Sequence, residues 1–191
     1  MNELPPHHLV KRIHQTKLHQ TIADIGREIA YDFRGQEVTF LTILLGGLPF
    51  NKMVSRVAGN AKARPKKILQ ATMQVGSYDN ETVSNGHPRI LQEIRDPDET
   101  IYKRDVVIQD DVADTKLTFA RTVLPYVLSF NPNSVSIATM LTKKGNFHPE
   151  ANDVNIDYSG FDIDYFAVGT GLDYAQLYRD LAGIWEVVFE K

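Results

Sequence analysis

Three acids stand within five positions, Asp110, Asp111 and Asp114, and Thr115-Lys116-Leu117-Thr118 follows at once. Carboxylates are hard oxygen donors, suited to a divalent cation and able to accept from hydroxyls. Threonine hydroxyls and free backbone N–H groups at the start of a helix, aided by the helix dipole, make an anion site. Together they describe a site for a phosphorylated sugar. The same residues also fit a plainer reading, with Asp114 as a helix N-cap and Asp110-Asp111 as solvated acids at a strand end.

The surrounding pattern decides what positions these groups. Asp105 to Gln109 is a short β-rich run ahead of the acids. Behind them, Phe119 to Phe130 has helical spacing, with Val123, Val127 and Phe130 on one side, and Pro125 predicts a kink. Asn131-Pro132-Asn133 makes a turn, and Val135 to Leu141 reads as a buried strand. Strand, helix and strand in this order make a βαβ unit and hence a parallel sheet.

Upstream, Leu18, Ile22, Ile25 and Ile29 form one apolar helical stripe that should end near Gly35. Val38 to Leu45 is a dense apolar run closed by Gly46-Gly47, a buried strand entering a tight turn. Met53 to Ala58 has helical spacing, and Lys67 to Met73 is a further strand. Gly76 to Glu99 has little periodicity; connections of that length are often active-site lids, and a plain disordered surface loop fits the same stretch. Ser159-Gly160 marks a loop before a strand at Tyr165 to Val168; Gly169 to Asp173 is a loop and Trp185 to Phe189 a last β-type run. Residues 1–6 read as a loose tail, and His7, His8, His14 and His19 as solvated side chains. The fold class is α/β: a central, mainly parallel twisted sheet flanked by helices, in one domain over 1–191. Ligands of such sheets collect beyond the carboxyl ends of the strands, near a switch in strand order.

Composition narrows the partners. The chain has 191 residues, 42% hydrophobic, with a formal net charge of -3 and no cysteine. There is no basic surplus to suggest nucleic acid, so a phosphorylated ligand needs local donors or a metal. Disulfides and thiolate metal sites are excluded. The longest apolar stretch, Phe40 to Phe50, falls well short of the ~20 residues of a membrane span. A cytoplasmic location is the expectation.

Val106-Val-Ile-Gln-Asp-Asp-Val-Ala-Asp-Thr-Lys-Leu-Thr118 resembles the phosphoribosyl-pyrophosphate motif of type I phosphoribosyltransferases, and four further stretches resemble the hypoxanthine-guanine members. They are Leu44-Leu-Gly-Gly47 (an early phosphate loop), Ser77-Tyr78 (the opening of a lid), Ala138-Thr-Met-Leu-Thr-Lys143 (a strand ending in a base-binding lysine), and Phe166-Ala-Val-Gly-Thr-Gly-Leu-Asp-Tyr174 with Tyr178-Arg179-Asp180-Leu181 (a carboxyl-terminal hood). The resemblance implies transfer of a phosphoribosyl group to hypoxanthine or guanine with magnesium, in a homodimer or homotetramer. It implies a lid around 76–99 and a hood including about 164–191. Asp110 and Asp111 would hold the ribose hydroxyls, partly through magnesium, and Asp114 would be the acid/base beside the purine N7. Thr115, Lys116, Leu117 and Thr118 would cradle the 5′-phosphate; Leu45, Gly46 and Arg179 would face pyrophosphate. Lys143 would bond the purine O6, Phe166 would stack on the base, the Ala167 backbone would meet its edge, and Asp173 would bind a second magnesium.

Three positions depart from the family pattern. Lys116 replaces a glycine, Leu45 a residue that is often lysine, and Asp110 a glutamate. Glycine permits unusual φ angles, so Lys116 implies either an added cation at the phosphate or a strained turn. We favour a changed turn with the lysine side chain in solvent. Lys116 also keeps open a ligand-sensing regulator on the same fold, and the pocket shape leaves open another base such as xanthine.

Overall fold

The computed structural model describes residues 4–76 and 88–190. β1 (His7–Ile13) leads into α1 (Gln15–Asp32), whose first turn is capped by His14 Nδ1 accepting from Thr16 N at 3.3 Å. β2 (Glu37–Leu44) is buried over its six central residues. Consecutive residues of a strand face opposite ways, so Phe40 packs with Leu18, Ile22 and Ile29 of α1 while Leu41 packs on the other face with Ile101 and Val123. That double burial is why β2 reads as a continuous apolar run. α2 (Gly47–Asn60) follows, then β3 (Lys67–Gly76), β4 (Arg89–Gln92), α3 (Pro97–Thr100) and β5 (Asp105–Ala113). A π-helical turn (Phe119–Val123) runs into α4 (Leu124–Leu128), and β6 (Ser134–Thr142), β7 (Tyr158–Asp162), β8 (Ala167–Val168) and β9 (Ile184–Phe189) complete the chain.

The main sheet has strand order β4-β3-β2-β5-β6-β7 and is parallel except for the β3–β4 pair. The α/β class therefore holds. β2 lies between β3 and β5, so strand order switches around it, and a crevice opens beyond the carboxyl ends of β2 and β5. β1, β9 and β8 form a separate three-stranded sheet in which His7 pairs with Phe189. This sheet, built from both ends of the described chain, is the small hood.

Several expectations need correction. β1 begins at His7, directly after the stretch read as a tail, and Pro6 already accepts a hydrogen bond from Glu190 N at 2.9 Å. β5 continues through Asp110 and Asp111 to Ala113, because β6 supplies backbone partners as far as Thr142. Ser159-Gly160 lies inside β7, an edge strand paired with Ala138–Thr142 of β6, and not in a loop. The strand expected at Tyr165 to Val168 is only Ala167–Val168.

The helix expected over Phe119 to Phe130 changes its hydrogen bonding at Leu124, and Pro125 stands in the first turn of α4. A proline there has no N–H to donate back to the preceding turn, which agrees with the predicted irregularity. Of the stretch expected as a lid, residues 77–87, including Ser77-Tyr78, lie outside the described residues. Its described remainder is partly ordered, with β4 pairing antiparallel to β3 and α3 beginning at Pro97.

Candidate active site

The β2 terminus and the β5 terminus meet at Gly46. The Leu44–Leu45 peptide is cis, Leu45 exposes its side chain, and a Cβ on Gly46 would overlap the Asp111 carboxylate. A Cβ on Gly47 would stand 2.9 Å from the Gln109 carbonyl oxygen. Both glycines are thus required by close approach of β5, which explains the Gly-Gly that closes the apolar run.

Asp110 and Asp111 lie in the carboxyl-terminal half of β5. Asp111 N donates to Asp110 Oδ1 at 2.9 Å, and Val112 N donates to Asp111 Oδ1 at 2.9 Å. Burial, and then the negative charge of Asp111, pushes the Asp110 carboxyl well above the usual carboxylate range. Burial raises Asp111 too, opposed by its hydrogen bonds and by the positive charge of Arg179. Two hard-oxygen donors that repel each other in a partly desolvated crevice fit a divalent cation. Among the described residues no three His, Asp or Glu side chains converge on one point. A cation here would take its other ligands from substrate oxygens and water, as magnesium commonly does.

Asp114 lies one residue beyond β5. Lys143, just after β6, donates from Nζ to Asp114 Oδ2 at 2.8 Å, and Asn146 Nδ2 donates to Asp114 Oδ1. Lys143 N also donates to Ala113 O at 2.9 Å, fixing the two strand ends together. A cavity of about 200 Å³ is lined by Asp111, Val112, Asp114, Lys143, Phe166, Ala167, Leu172 and Asp173. Six of the residues singled out from sequence therefore face one space.

Phe166 lies immediately before β8 with 43% of its surface exposed. Its ring meets Tyr174 edge-on at 5.6 Å and Phe189 at 6.4 Å, contacts that fix its orientation while leaving a face open. The 169–173 loop then folds back on the early phosphate loop: a Cβ on Gly171, at φ +105°, would stand 2.6 Å from Gly46 O. Arg179 pairs with Asp173 at 2.7 Å and donates to Gly171 O at 2.6 Å. Asp173 Oδ2 also accepts from Gln176 N at 2.7 Å. Both oxygens of Asp173 thus serve the loop itself, although the side chain still lines the cavity.

Thr115 to Thr118 form the turn between β5 and the π-helical turn, with Thr115 Oγ1 accepting from Leu117 N at 3.3 Å. Lys116 takes φ +63°, a left-handed angle that a glycine adopts freely. Its side chain is not in solvent. Only 7% of the residue is exposed, and Nζ donates to Val154 O at 2.6 Å and lies 4.1 Å from the centroid of the Phe147 ring. The turn keeps the glycine-like backbone, and the ammonium finds acceptors inside the protein.

Two residues of the site had no signal in the sequence. Asn146 sits in an unpatterned Lys-Lys-Gly-Asn stretch, and only the fold brings it to Asp114. His7, read as solvated, meets the Tyr178 hydroxyl at 2.9 Å and packs edge-on against Tyr174 at 5.4 Å, so β1 braces the hood loop.

With this geometry in view, the chain matches the model of the phosphoribosyl transferase domain over residues 10–175. It is 39% identical over 170 residues to a hypoxanthine-guanine phosphoribosyltransferase of Mycobacterium tuberculosis, covering 85% of this chain and 78% of that protein. It is 31% identical over 170 residues to the Bacillus subtilis protein of the same name, covering 88% of this chain and 87% of that protein. Among solved structures, a hypoxanthine-guanine phosphoribosyltransferase from Bacillus anthracis superposes with a TM-score of 0.81 at 26% identity, over 94% of this chain and 98% of that one.

Proposed function

Because this chain belongs to the phosphoribosyl transferase domain family, we propose that it is a purine salvage enzyme acting on hypoxanthine or guanine. It transfers the phosphoribosyl group of phosphoribosyl pyrophosphate to the base, giving the nucleoside monophosphate and pyrophosphate. The bond from ribose C1 to a pyrophosphate oxygen breaks, a bond from C1 to a purine ring nitrogen forms, and the base loses a proton.

The observation that carries this reading is the Asp114–Lys143 pair on the wall of the cavity. An ammonium donor beside a carboxylate acceptor complements the edge of a 6-oxopurine, where the O6 acceptor neighbours N7. Adenine offers a donor amino group at that place and leaves the lysine unmatched, a costly mismatch in a closed site. Lys143 therefore reads O6, and Asp114 manages the purine proton. Phe166 stacks on the base and the Ala167 backbone meets its edge.

Asp110 and Asp111 orient the ribose hydroxyls, and Thr115, Leu117 and Thr118 receive the 5′-phosphate. The backbone of Leu45 and Gly46 and the charge of Arg179 face pyrophosphate. Asp110 and Asp111 would hold magnesium together with substrate oxygens, and the ion would neutralise leaving-group charge; Asp173 is the candidate to hold a second ion. In-line placement of the two reactants supplies much of the acceleration. A cytoplasmic enzyme assembled as a homodimer or homotetramer completes the proposal, and sedimentation tests the assembly.

A spectrophotometric assay with phosphoribosyl pyrophosphate, magnesium and a panel of purines tests the reading. We expect turnover with hypoxanthine or guanine and little with adenine. Turnover with xanthine alone would change the base, and a protein that binds phosphoribosyl pyrophosphate yet is inert toward every purine would be a ligand-sensing regulator.

A further inference from the structure

We propose that Lys116 is a positioning residue whose ammonium clamps the phosphate turn to the 147–154 segment, holding the turn in shape before a phosphate arrives. The inference rests on the function proposed above.

Four observations carry it. Lys116 Nζ donates to Val154 O at 2.6 Å and stands over the Phe147 ring at 4.1 Å. The neighbouring Thr115 O accepts from His148 N at 3.0 Å, so two successive turn residues are tied to one segment. Lys116 O accepts from Ala120 N at 3.0 Å, which joins the same residue to the π-helical turn. The lysine is buried, with 7% of its surface exposed.

An ammonium leaves water only where acceptors replace its hydration. Here a carbonyl oxygen and an aromatic face do so, the latter through cation–π attraction. Burial pulls the lysine below its usual pKa range, in keeping with partial desolvation. Nζ is thus committed to the 147–154 segment, leaving the phosphate to the threonines and the backbone.

A glycine at 116 would accept φ +63° without strain, but it would leave the turn free to sample other shapes. A lysine is strained at that angle, and the clamp offsets the strain while removing the sampling. A turn already in its binding shape loses less conformational freedom when ligand binds. Asn146, which donates to Asp114, immediately precedes the segment that clamps the turn. The phosphate turn and the proton-handling carboxylate therefore have adjoining supports.

The test is a double-mutant cycle on Lys116→Met, which keeps a side chain at the same backbone angle, and Phe147→Leu. Titration with phosphoribosyl pyrophosphate in magnesium, steady-state kinetics and amide exchange of the free protein are the readouts. We expect each single variant to raise Kd and KM for phosphoribosyl pyrophosphate by up to roughly 10-fold, less than the full effect of one lost charged hydrogen bond because the clamp acts on the ligand only through the turn. KM for the base should move little, and amides of residues 115–118 should exchange faster. The double variant should be little worse than Lys116→Met, because both remove one clamp. Additive losses, or a loss in Lys116→Met without faster exchange at 115–118, would mean that the lysine meets the phosphate directly. Unchanged exchange at 115–118 in Lys116→Met overturns the clamp whatever the kinetics. Wild-type protein that binds no phosphoribosyl pyrophosphate defeats the functional reading instead, while the exchange experiment still judges the clamp.

Discussion

Lys143 Nζ and Asp114 Oδ2 lie 2.8 Å apart, although 29 residues separate them in the chain. β5 and β6 are adjacent and parallel, so their carboxyl ends open into the same crevice. The residue just past each end therefore faces its counterpart, and the Lys143 N to Ala113 O bond fixes their spacing. In the free protein the pair satisfies itself. On the function proposed above, a 6-oxopurine would draw the lysine to its oxygen acceptor and the carboxylate to a ring nitrogen. Each group is thus held ready by the other, at little cost in reorganisation.

Asp114→Asn should leave substrate binding largely intact and lower kcat by about 10²–10⁴, the usual contribution of a positioned acid/base. The amide keeps the size of the carboxylate, and its one oxygen can still accept from Lys143 or from Asn146, which in the wild type use different oxygens. Single-turnover rates with hypoxanthine measure the chemical step directly. A mutant with wild-type kcat would remove Asp114 from proton handling and leave it a cap for the turn.

Asp110→Asn should stabilise the ligand-free protein at neutral pH while weakening phosphoribosyl pyrophosphate binding. The Asp110 carboxyl is raised above its unfolded value by burial and by Asp111. A raised carboxyl contributes stability that is present below the ordinary carboxylate pKa, about 3.9, and lost as pH rises through the higher folded value. Above the ordinary carboxylate range the wild type loses this contribution, whether by burying a charge beside Asp111 or by holding a proton, whereas asparagine keeps the acceptor for Asp111 N without the charge. Each kcal/mol of relief raises Tm by about 2–4 °C in a chain of this size. The advantage should fade toward pH 4. Magnesium with phosphoribosyl pyrophosphate should raise the melting temperature of the wild type more than that of the variant. A ligand-free variant melting below wild type at pH 7 contradicts the repulsion.

What the sequence made legible follows from which interactions are local. Val38 to Ile43 and Ile137 to Leu141 are buried on both faces, so the apolar runs that contain them announce strands without any tertiary knowledge. The acids and threonines from Asp110 to Thr118 are contiguous, and their clustering survives as a motif. β1 was missed because its burial alternates weakly and its stability comes from β9, more than 170 residues away. β4 spans only Arg89–Gln92, too short for a period to emerge. Asn146 and His7 act through partners that only the folded chain brings near. Lys116 was legible as an anomaly, but the destination of its side chain depended on Phe147 and Val154.

Phe166→Leu should raise KM for the base by about 5- to 150-fold with a smaller change in KM for phosphoribosyl pyrophosphate, since stacking one base on an aromatic ring contributes ~1–3 kcal/mol. Its 43% exposure and its edge contacts with Tyr174 and Phe189 leave a rigid face toward the cavity. Leucine keeps the apolar volume near the hood but offers no flat surface. Steady-state kinetics with each substrate varied in turn separate the two effects. Equal loss for both substrates would make Phe166 a packing residue of the hood.

Gly46→Ala isolates the contact between the early loop and the acidic pair. A Cβ at 46 would fall on the Asp111 carboxylate, so the side chain has to swing away or the loop has to shift. The φ of Gly46 is -60°, which alanine accepts without strain, so the backbone itself gives no reason for glycine here. The obstacle is the end of a side chain and not backbone, so the substitution should cost less in stability than in binding. Binding of phosphoribosyl pyrophosphate should suffer more, because displacing Asp111 moves a carboxylate from both the ribose and the cation. Misplacement of a positioned group by about 1 Å can cost on the order of 10²-fold in rate. The expected pattern is a melting temperature near wild type with a large fall in kcat/KM for phosphoribosyl pyrophosphate. Gly59→Ala, where nothing stands within 4 Å of an added Cβ, is the control that should match wild type in both. A Gly46→Ala enzyme with wild-type kcat/KM would mean that Asp111 relocates freely and is not held for the substrate.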